Sequence, residues 1–155
     1  MYVGYYSSPI GLIKVCANIN YLLSCTFVDE KDEKVKRNLV ILDTINQLDE
    51  YFNGIRYTFD LPLKLEGTYF QIKVWEELQK IEYGKTCTYK EIAQKINHPK
   101  AYRAVGNANN KNRFAIIIPC HRVIGTNHQL VGYASGIHRK EMLLNHEKSV
   151  LQLNR

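Results

Sequence analysis

"HPKAYRAVGNANNKNRFAIIIPCHRVIG", residues 98–125, sets a row of small residues around one arginine, then an asparagine-rich turn, an apolar run, and a cysteine beside a histidine. Phe114 to Ile118 reads as a buried strand. Pro119 offers no backbone donor and should end it, which places the Cys120 thiol at the edge of the core rather than inside it. His121 follows at once and can take the proton whose loss makes a nucleophilic thiolate. Neighbouring residues in a turn seldom bond side chain to side chain, so a bridging water between thiol and imidazole is expected. A third group should orient the imidazole, and Glu141 and Glu147 on the closing helix are the candidates. Such a set serves a cysteine hydrolase as well as an alkyl acceptor.

Upstream of that turn, Ala101, Ala104, Gly106 and Ala108 are small and Arg103 projects among them. Such a face suits close approach to a narrow groove, with an arginine entering the base stack. An arginine packed against another helix would instead require a buried partner. Thr88-x-x-Glu91 is a capping box that opens a helix with Tyr89 in its first turn and Ile92, Ala93 and Ile96 inward, stopped at His98-Pro99. A short helix over about Lys100 to Ala108 follows closely, so the two form a helix-turn-helix candidate. A sequence-specific regulator is therefore a further class, although it leaves the thiol unexplained. Asn109, Asn110 and Asn112 read as a polar turn.

Further out, Thr68-x-x-Gln71 is another capping box, with Phe70, Val74, Trp75, Leu78 and Ile81 on one face and Gly84 as the stop. The last helix, Arg139 to about Glu147, carries Met142, Leu143 and Leu144. Toward the amino terminus, residues 10–17 and 21–28 are apolar, partly alternating runs joined by Asn18-Ile19-Asn20, a β-hairpin pattern. Val35 to Phe52 has Leu39, Leu42, Ile45, Leu48 and Phe52 at helical steps, closed by Asn53-Gly54. Residues 56–68 read as a strand and a linker around Pro62 and Gly67. The expected fold is α/β in the α+β sense. An N-terminal hairpin-plus-helix domain over 1–65 precedes a mostly helical C-terminal domain over 66–155.

The 155 residues carry a net charge of +6, which suits a polyanionic partner without naming one. No apolar run approaches the roughly 20 residues a membrane span needs, and the start lacks a signal-peptide pattern, so a cytoplasmic location is expected. Cys16, Cys25, Cys87 and Cys120 are spaced too widely for a disulfide framework and form no CxxC pair, so free thiols and no metal site are expected.

"IPCHRVIG" (118–125) resembles the active-site signature of the O6-alkylguanine-DNA alkyltransferases, the methylated-DNA–protein-cysteine methyltransferases. "FQIKVWEEL" (70–78), "YGKTCTYKEIA" (83–93), "HPKAYRAVGNANNKN" (98–112), "VGYASGIHRKEMLLNHE" (131–147) and "LDEYFNG" (48–54) match in the same order, so nearly the whole chain is covered. The resemblance implies that Cys120 accepts the alkyl group, that His121 is a base acting through water, and that Glu147 orients it. Asn112 would brace the active-site turn. Tyr89 would turn the target nucleotide and reach its base, and Arg103 would fill the space the flipped base leaves. Ala101, Tyr102, Ala104, Gly106 and Arg122 would face DNA; Tyr133, Val123, Ala134 and Ser135 would line the base pocket, with main-chain groups of Cys120, Val123 and Ala134 on the guanine edge. Tyr102, Asn110, Arg113 and Ser135 depart from common family residues. The implied activity is single-turnover transfer from O6-alkylguanine, and less efficiently O4-alkylthymine, in double-stranded DNA, by a monomer without cofactor. Family relatives that only sense damage lack the acceptor cysteine.

Overall fold

The structure is a computed structural model that describes residues 1–126 and 130–154. The chain divides into two compact units, Met1–Leu65 and Glu66–Arg155.

The first unit is a three-stranded antiparallel sheet, β1 (Tyr2–Ser8), β2 (Gly11–Ala17) and β3 (Leu22–Val28), with one helix, α1 (Leu39–Phe52). The hairpin β2–β3 is present, and β1 adds to it in the register Tyr2↔Ala17 to Ser8↔Gly11. Its Tyr-Val-Gly-Tyr-Tyr composition is strand-favouring. Ile13, Val15, Cys25, Ile41 and Leu48 are buried, as alternation on the strands and helical spacing on α1 require.

Two expectations fail in this unit. The first helix begins at Leu39 rather than Val35, because the Asn38 side chain caps it by accepting from the Ile41 N–H at 3.0 Å, while Lys36 exchanges backbone bonds with Val3. The segment after α1 contains no strand. It makes a single bridge, Leu22 to Leu63, in which Leu22 N–H donates to Pro62 O and Lys64 N–H donates to Leu22 O. Pro62 has no donor with which to extend a ladder.

The second unit is built from α2 (Tyr69–Leu78), β4 (Cys87–Thr88), α3 (Tyr89–Lys95), α4 (Tyr102–Asn110), β5 (Val123–Ile124) and α5 (Ile137–Leu153). Both capping boxes form: Thr68 accepts from Gln71 N–H and Thr88 from Glu91 N–H, with the Gln71 and Glu91 side chains returning to the cap N–H groups. Val74, Trp75 and Leu78 of α2 are buried, and the Trp75 indole N–H donates to Ala108 O at 2.8 Å, fastening α2 to α4. Helix α3 stops at Lys95, and Asn97 takes the left-handed conformation that ends many helices. Helices α3 and α4 then pack together as a helix-turn-helix pair.

The last helix starts two residues earlier than expected and runs to Leu153. The expected strand over Phe114 to Ile118 is instead a buried turn. All five residues are buried, yet Ile117 N–H donates to Ala115 O and Ile118 N–H to Phe114 O. Ile116 sits at φ +72, a conformation costly for a β-branched residue. An apolar run reports burial, but its pairing depends on a neighbouring strand, and β5 pairs instead with β4.

Replacing Thr88 by Ala is expected to cost about 1 kcal/mol of stability, because it removes the cap that starts α3. Urea unfolding of the Thr88→Ala and Thr88→Ser variants checks this, with the serine variant expected near wild type.

Candidate active site

Cys120, His121 and Arg122 form one turn of 3-10 helix between the buried 114–118 turn and β5. The Asn112 side chain shapes this connection: its amide donates to Ile118 O at 2.9 Å and Phe114 O at 3.3 Å, while its carbonyl accepts from Phe114 N–H at 2.9 Å. Asn109, read from sequence as a loop residue, is instead the buried end of α4, and its amide approaches Cys120 O at 3.4 Å. The thiol is more enclosed than an edge position predicts, with Cys120 only 4% exposed. Burial pushes its pKa up. The Asn112 amide, the Lys140 ammonium and the Tyr133 hydroxyl pull the other way.

His121 is fully buried, and its Nε2 lies 2.7 Å from Glu147 Oε2. Glu147, not Glu141, is therefore the orienting acid; Glu141 is exposed on α5. The Glu147 carboxylate collects further donors: Gly84 N–H at 3.0 Å, Arg122 Nε at 2.9 Å and Arg122 Nη2 at 3.0 Å. Burial raises the Glu147 pKa, but His121 and Arg122 outweigh it and hold the carboxyl well below the usual carboxylate range. An ionised Glu147 requires the proton on His121 Nε2. That leaves Nδ1 as a lone pair, and Nδ1 is buried with no protein hydrogen-bond partner among the described residues. Burial holds the imidazole below its ordinary pKa, hence neutral. Gly84 can reach this position because φ is +76 there and a side chain would collide with Leu151.

Arg122 is a correction. Expected to face DNA, it is 5% exposed, forks onto Glu147 and donates from Nη1 to Ile81 O at 2.8 Å, with its guanidinium over the Tyr83 ring. A carboxylate buried beside a neutral histidine needs a fixed cation, and Arg122 supplies it.

Tyr89 opens α3, and its hydroxyl donates toward Val131 O at 2.9 Å, with Gly132 O at 3.3 Å. Burial and the nearby Cys120 raise its pKa, so it stays a phenol. Tyr133 is buried, Val123 fully so, Ser135 half-buried and Ala134 exposed. Val123 N–H donates to Cys120 O, so of the expected edge-reading groups one already bonds another.

On α4, Tyr102, Arg103 and Ala104 are exposed, and Ala101 is half-buried. Gly106 lies against the Tyr89 ring and Ala108 is buried under Trp75, so only part of the small-residue row is free. Arg103 forms no ion pair among the described residues. Lys90 sits over the Tyr102 ring at 5.4 Å, adding a second cation to this face.

Sequence reasoning missed Lys140. It lies on the buried stripe Lys140, Leu143, Glu147, Val150 of α5, so its spacing from Glu147 was the available signal. Among the described residues no cluster of His, Cys, Asp or Glu could hold a metal ion, and no helix is long and apolar enough to cross a membrane.

The 6-O-methylguanine DNA methyltransferase DNA-binding domain model matches residues 69–149, and that family's ribonuclease-like domain model matches residues 1–65. This chain belongs to the 6-O-methylguanine DNA methyltransferase family. A methylated-DNA–protein-cysteine methyltransferase of Methanosarcina acetivorans is 45% identical, with 96% of this chain and 99% of the relative covered. One from Mycobacterium leprae is 43% identical, over 91% and 88%. Among solved structures, Mycobacterium tuberculosis OGT in complex with DNA matches with a TM-score of 0.89 at 40% identity, covering 97% of this chain and 94% of that one.

The pH response of this site has a fixed sign. Glu147 has a depressed folded-state pKa, so the stability it contributes is complete above its unfolded value of about 4.3 and is lost as pH falls. His121 is held neutral, so protonation in the unfolded chain below about pH 6.5 also favours unfolding. Stability is expected to fall steadily below about pH 6.5. Glu147→Gln, which strands the buried Arg122 charge, is expected to cost about 3–5 kcal/mol at pH 7. Urea unfolding against pH checks both, the gap between variant and wild type narrowing in acid.

Proposed function

We propose that this chain repairs alkylated DNA by moving the alkyl group from guanine O6, and less efficiently from thymine O4, onto Cys120. The observation that carries this reading is the turn after the helix-turn-helix, where a cysteine adjoins a histidine whose Nε2 is fixed on a buried carboxylate while its Nδ1 remains a base. The relatives named methylated-DNA–protein-cysteine methyltransferases support the reaction class. A cysteine hydrolase would share the thiol, imidazole and acid but would leave exposed Arg103 and its helix without a purpose.

The reaction follows from these groups. The lesion lies inside a duplex, so the nucleotide must leave the stack before the thiol can meet it. Arg103, exposed and without an ion-pair partner among the described residues, enters the vacated space from the minor groove, with Ala104 permitting close approach and Ala101 and Tyr102 beside it. Tyr89 presses on the target nucleotide from the start of α3. The flipped base enters against Tyr133, Val123, Ala134 and Ser135. Cys120 passes its proton through a water to His121 Nδ1, and the thiolate displaces guanine from the alkyl carbon in line. The carbon–oxygen bond pair leaves with the base, which receives a proton by way of Tyr89. Asn112 keeps the Cys120 turn in place throughout.

The product is a thioether, and no group in the site can cleave it. Each molecule therefore acts once, as a monomeric reagent that needs no cofactor. The 66–155 domain carries both DNA binding and transfer, and the 1–65 domain supports it. A cytoplasmic location follows from a chemistry that needs a reduced Cys120 and access to DNA. Binding rests on phosphate and groove contacts, so it is largely sequence-independent and weakens with salt.

Mass spectrometry after mixing with a duplex containing one O6-methylguanine is expected to show one added methylene on the Cys120 peptide, one event per molecule and restored guanine. Cys120→Ser should bind the duplex and gain no mass; a Ser variant that still clears the lesion would overturn the assignment. Arg103→Ala is expected to slow single-turnover transfer from duplex by at least about tenfold, equivalent to about 1.4 kcal/mol of lost flipped-state stabilisation, and to reduce the salt dependence of binding.

A further inference from the structure

Asn109 lies at the buried end of α4, only 1% exposed, and the chemistry above does not use it. Its place is well fixed. The Asn109 carbonyl accepts from Asn112 N–H at 3.3 Å, and the preceding Ala108 O holds the Trp75 indole N–H. The Asn109 side-chain amide donates to Cys120 O at 3.4 Å. Only the NH2 end of an amide can face a carbonyl, so Oδ1 is the end turned away from it. Asn109 Oδ1 is buried and has no hydrogen-bond partner among the described residues. An unpaired buried acceptor is costly, and an apolar side chain of similar size would avoid that cost.

The carbonyl that Asn109 touches is one expected to read the guanine edge. Cys120 O accepts from Val123 N–H as well as from the Asn109 amide, and a carbonyl oxygen has two lone pairs. That reader is therefore already engaged, and the amide engaging it carries an unpaired acceptor on the same amide carbon. The Asn109 side chain also bears on Tyr89: burial and the Cys120 charge raise the Tyr89 pKa, and a hydrogen bond with Asn109 pulls against them. Asn109 thus stands between the turn that carries the thiol and the phenol that meets the base. Its burial is no obstacle, since Cys120, which the alkyl group must reach, is buried as well.

Hydrogen-bond chemistry decides what fits such an acceptor. Alkylation at O6 leaves N1 without its proton, so the ring nitrogens of the lesion accept and its 2-amino group is the donor that remains. O4-alkylthymine has lost the N3 proton and offers no donor. We propose that Asn109 Oδ1 accepts a hydrogen bond from the 2-amino group of the flipped base, which makes Asn109 a residue that sets the preference for guanine over thymine lesions. A base with the amine satisfies the buried acceptor, whereas a base without it leaves the acceptor unpaired, and selectivity follows from that difference. The inference deepens the proposed function and rests on it.

The test compares single-turnover transfer to Cys120 from O6-methylguanine and from O6-methylhypoxanthine, which differs only in lacking the 2-amino group. O4-methylthymine serves as a second base without a donor. Each lesion faces an abasic site in the same duplex, so that pairing strength does not enter. Wild type is expected to prefer the guanine lesion over the hypoxanthine lesion by at least about tenfold. Asn109→Leu removes the acceptor and is expected to lower that preference by about tenfold, leaving the ratio between the two donor-free bases unchanged. Asn109→Asp keeps an oxygen acceptor but loses the donor to Cys120 O, and is expected to retain the preference. Each ratio is taken within one variant, so a change in thiol reactivity cancels. Should leucine prevent folding, the wild-type comparison of the two purines still decides, because equal rates there overturn the inference without any variant. A leucine variant with the full preference also overturns it. A preference lost in the aspartate variant as well assigns Asn109 to its tie with Cys120 O and overturns the reading of the amine. No transfer from any of the three bases overturns the proposed function itself, whereas transfer at equal purine rates overturns the role of Asn109 alone.

Discussion

The carboxylate of Glu147 is the point on which the second unit turns. Its two oxygens accept one hydrogen bond from His121, two from the Arg122 fork and one from the Gly84 backbone. These donors join the last helix to the reactive turn and to the bend after α2. A carboxylate this deeply buried is tolerated because every direction around it is filled with a donor. The same saturation makes the histidine a base: with Nε2 committed as donor, only Nδ1 is left to accept. Stability and reactivity thus draw on one set of contacts.

Around that point the local backbone is unusual for the same reason. Gly84 has a positive φ and brings its N–H onto the carboxylate, and Ile116 accepts a strained conformation in the turn that delivers Cys120. Asn112 holds that turn by satisfying three backbone groups that no strand partner reaches. Polar side chains do there what a ladder would do in a sheet. The Cys120 position is consequently fixed by side-chain contacts from α4 and α5 rather than by regular secondary structure, which suits a thiol that must meet a base delivered from outside.

Much of this was legible in the residues. Thr68-x-x-Gln71 and Thr88-x-x-Glu91 announced two helix starts because capping is local chemistry between residues three apart. The hairpin followed from alternation, and the thiol, imidazole and acid could be paired because proton transfer requires those groups together. Errors arose where local pattern underdetermines partnership. The Phe114 to Ile118 run signalled burial but not that no strand waited beside it. Arg122 carried the charge of a DNA contact, and nothing in its neighbours showed that a buried carboxylate had already claimed it. Lys140 was visible at helical spacing from Glu147, yet a lysine on a helix is most often solvated.

The sequence by itself determined the helix caps, the β2–β3 hairpin, the chemical identity of the reactive group and, through its motifs, the family. These depend on residues close together in the chain or on which functional groups are present at all. Only the tertiary structure decided which of two glutamates holds His121, that Arg122 serves the interior, and that Lys140 lies buried on Val131 O with no ion-pair partner among the described residues. Those outcomes depend on which elements pack against the 3-10 turn, because a buried charge takes its role from the groups that replace water around it.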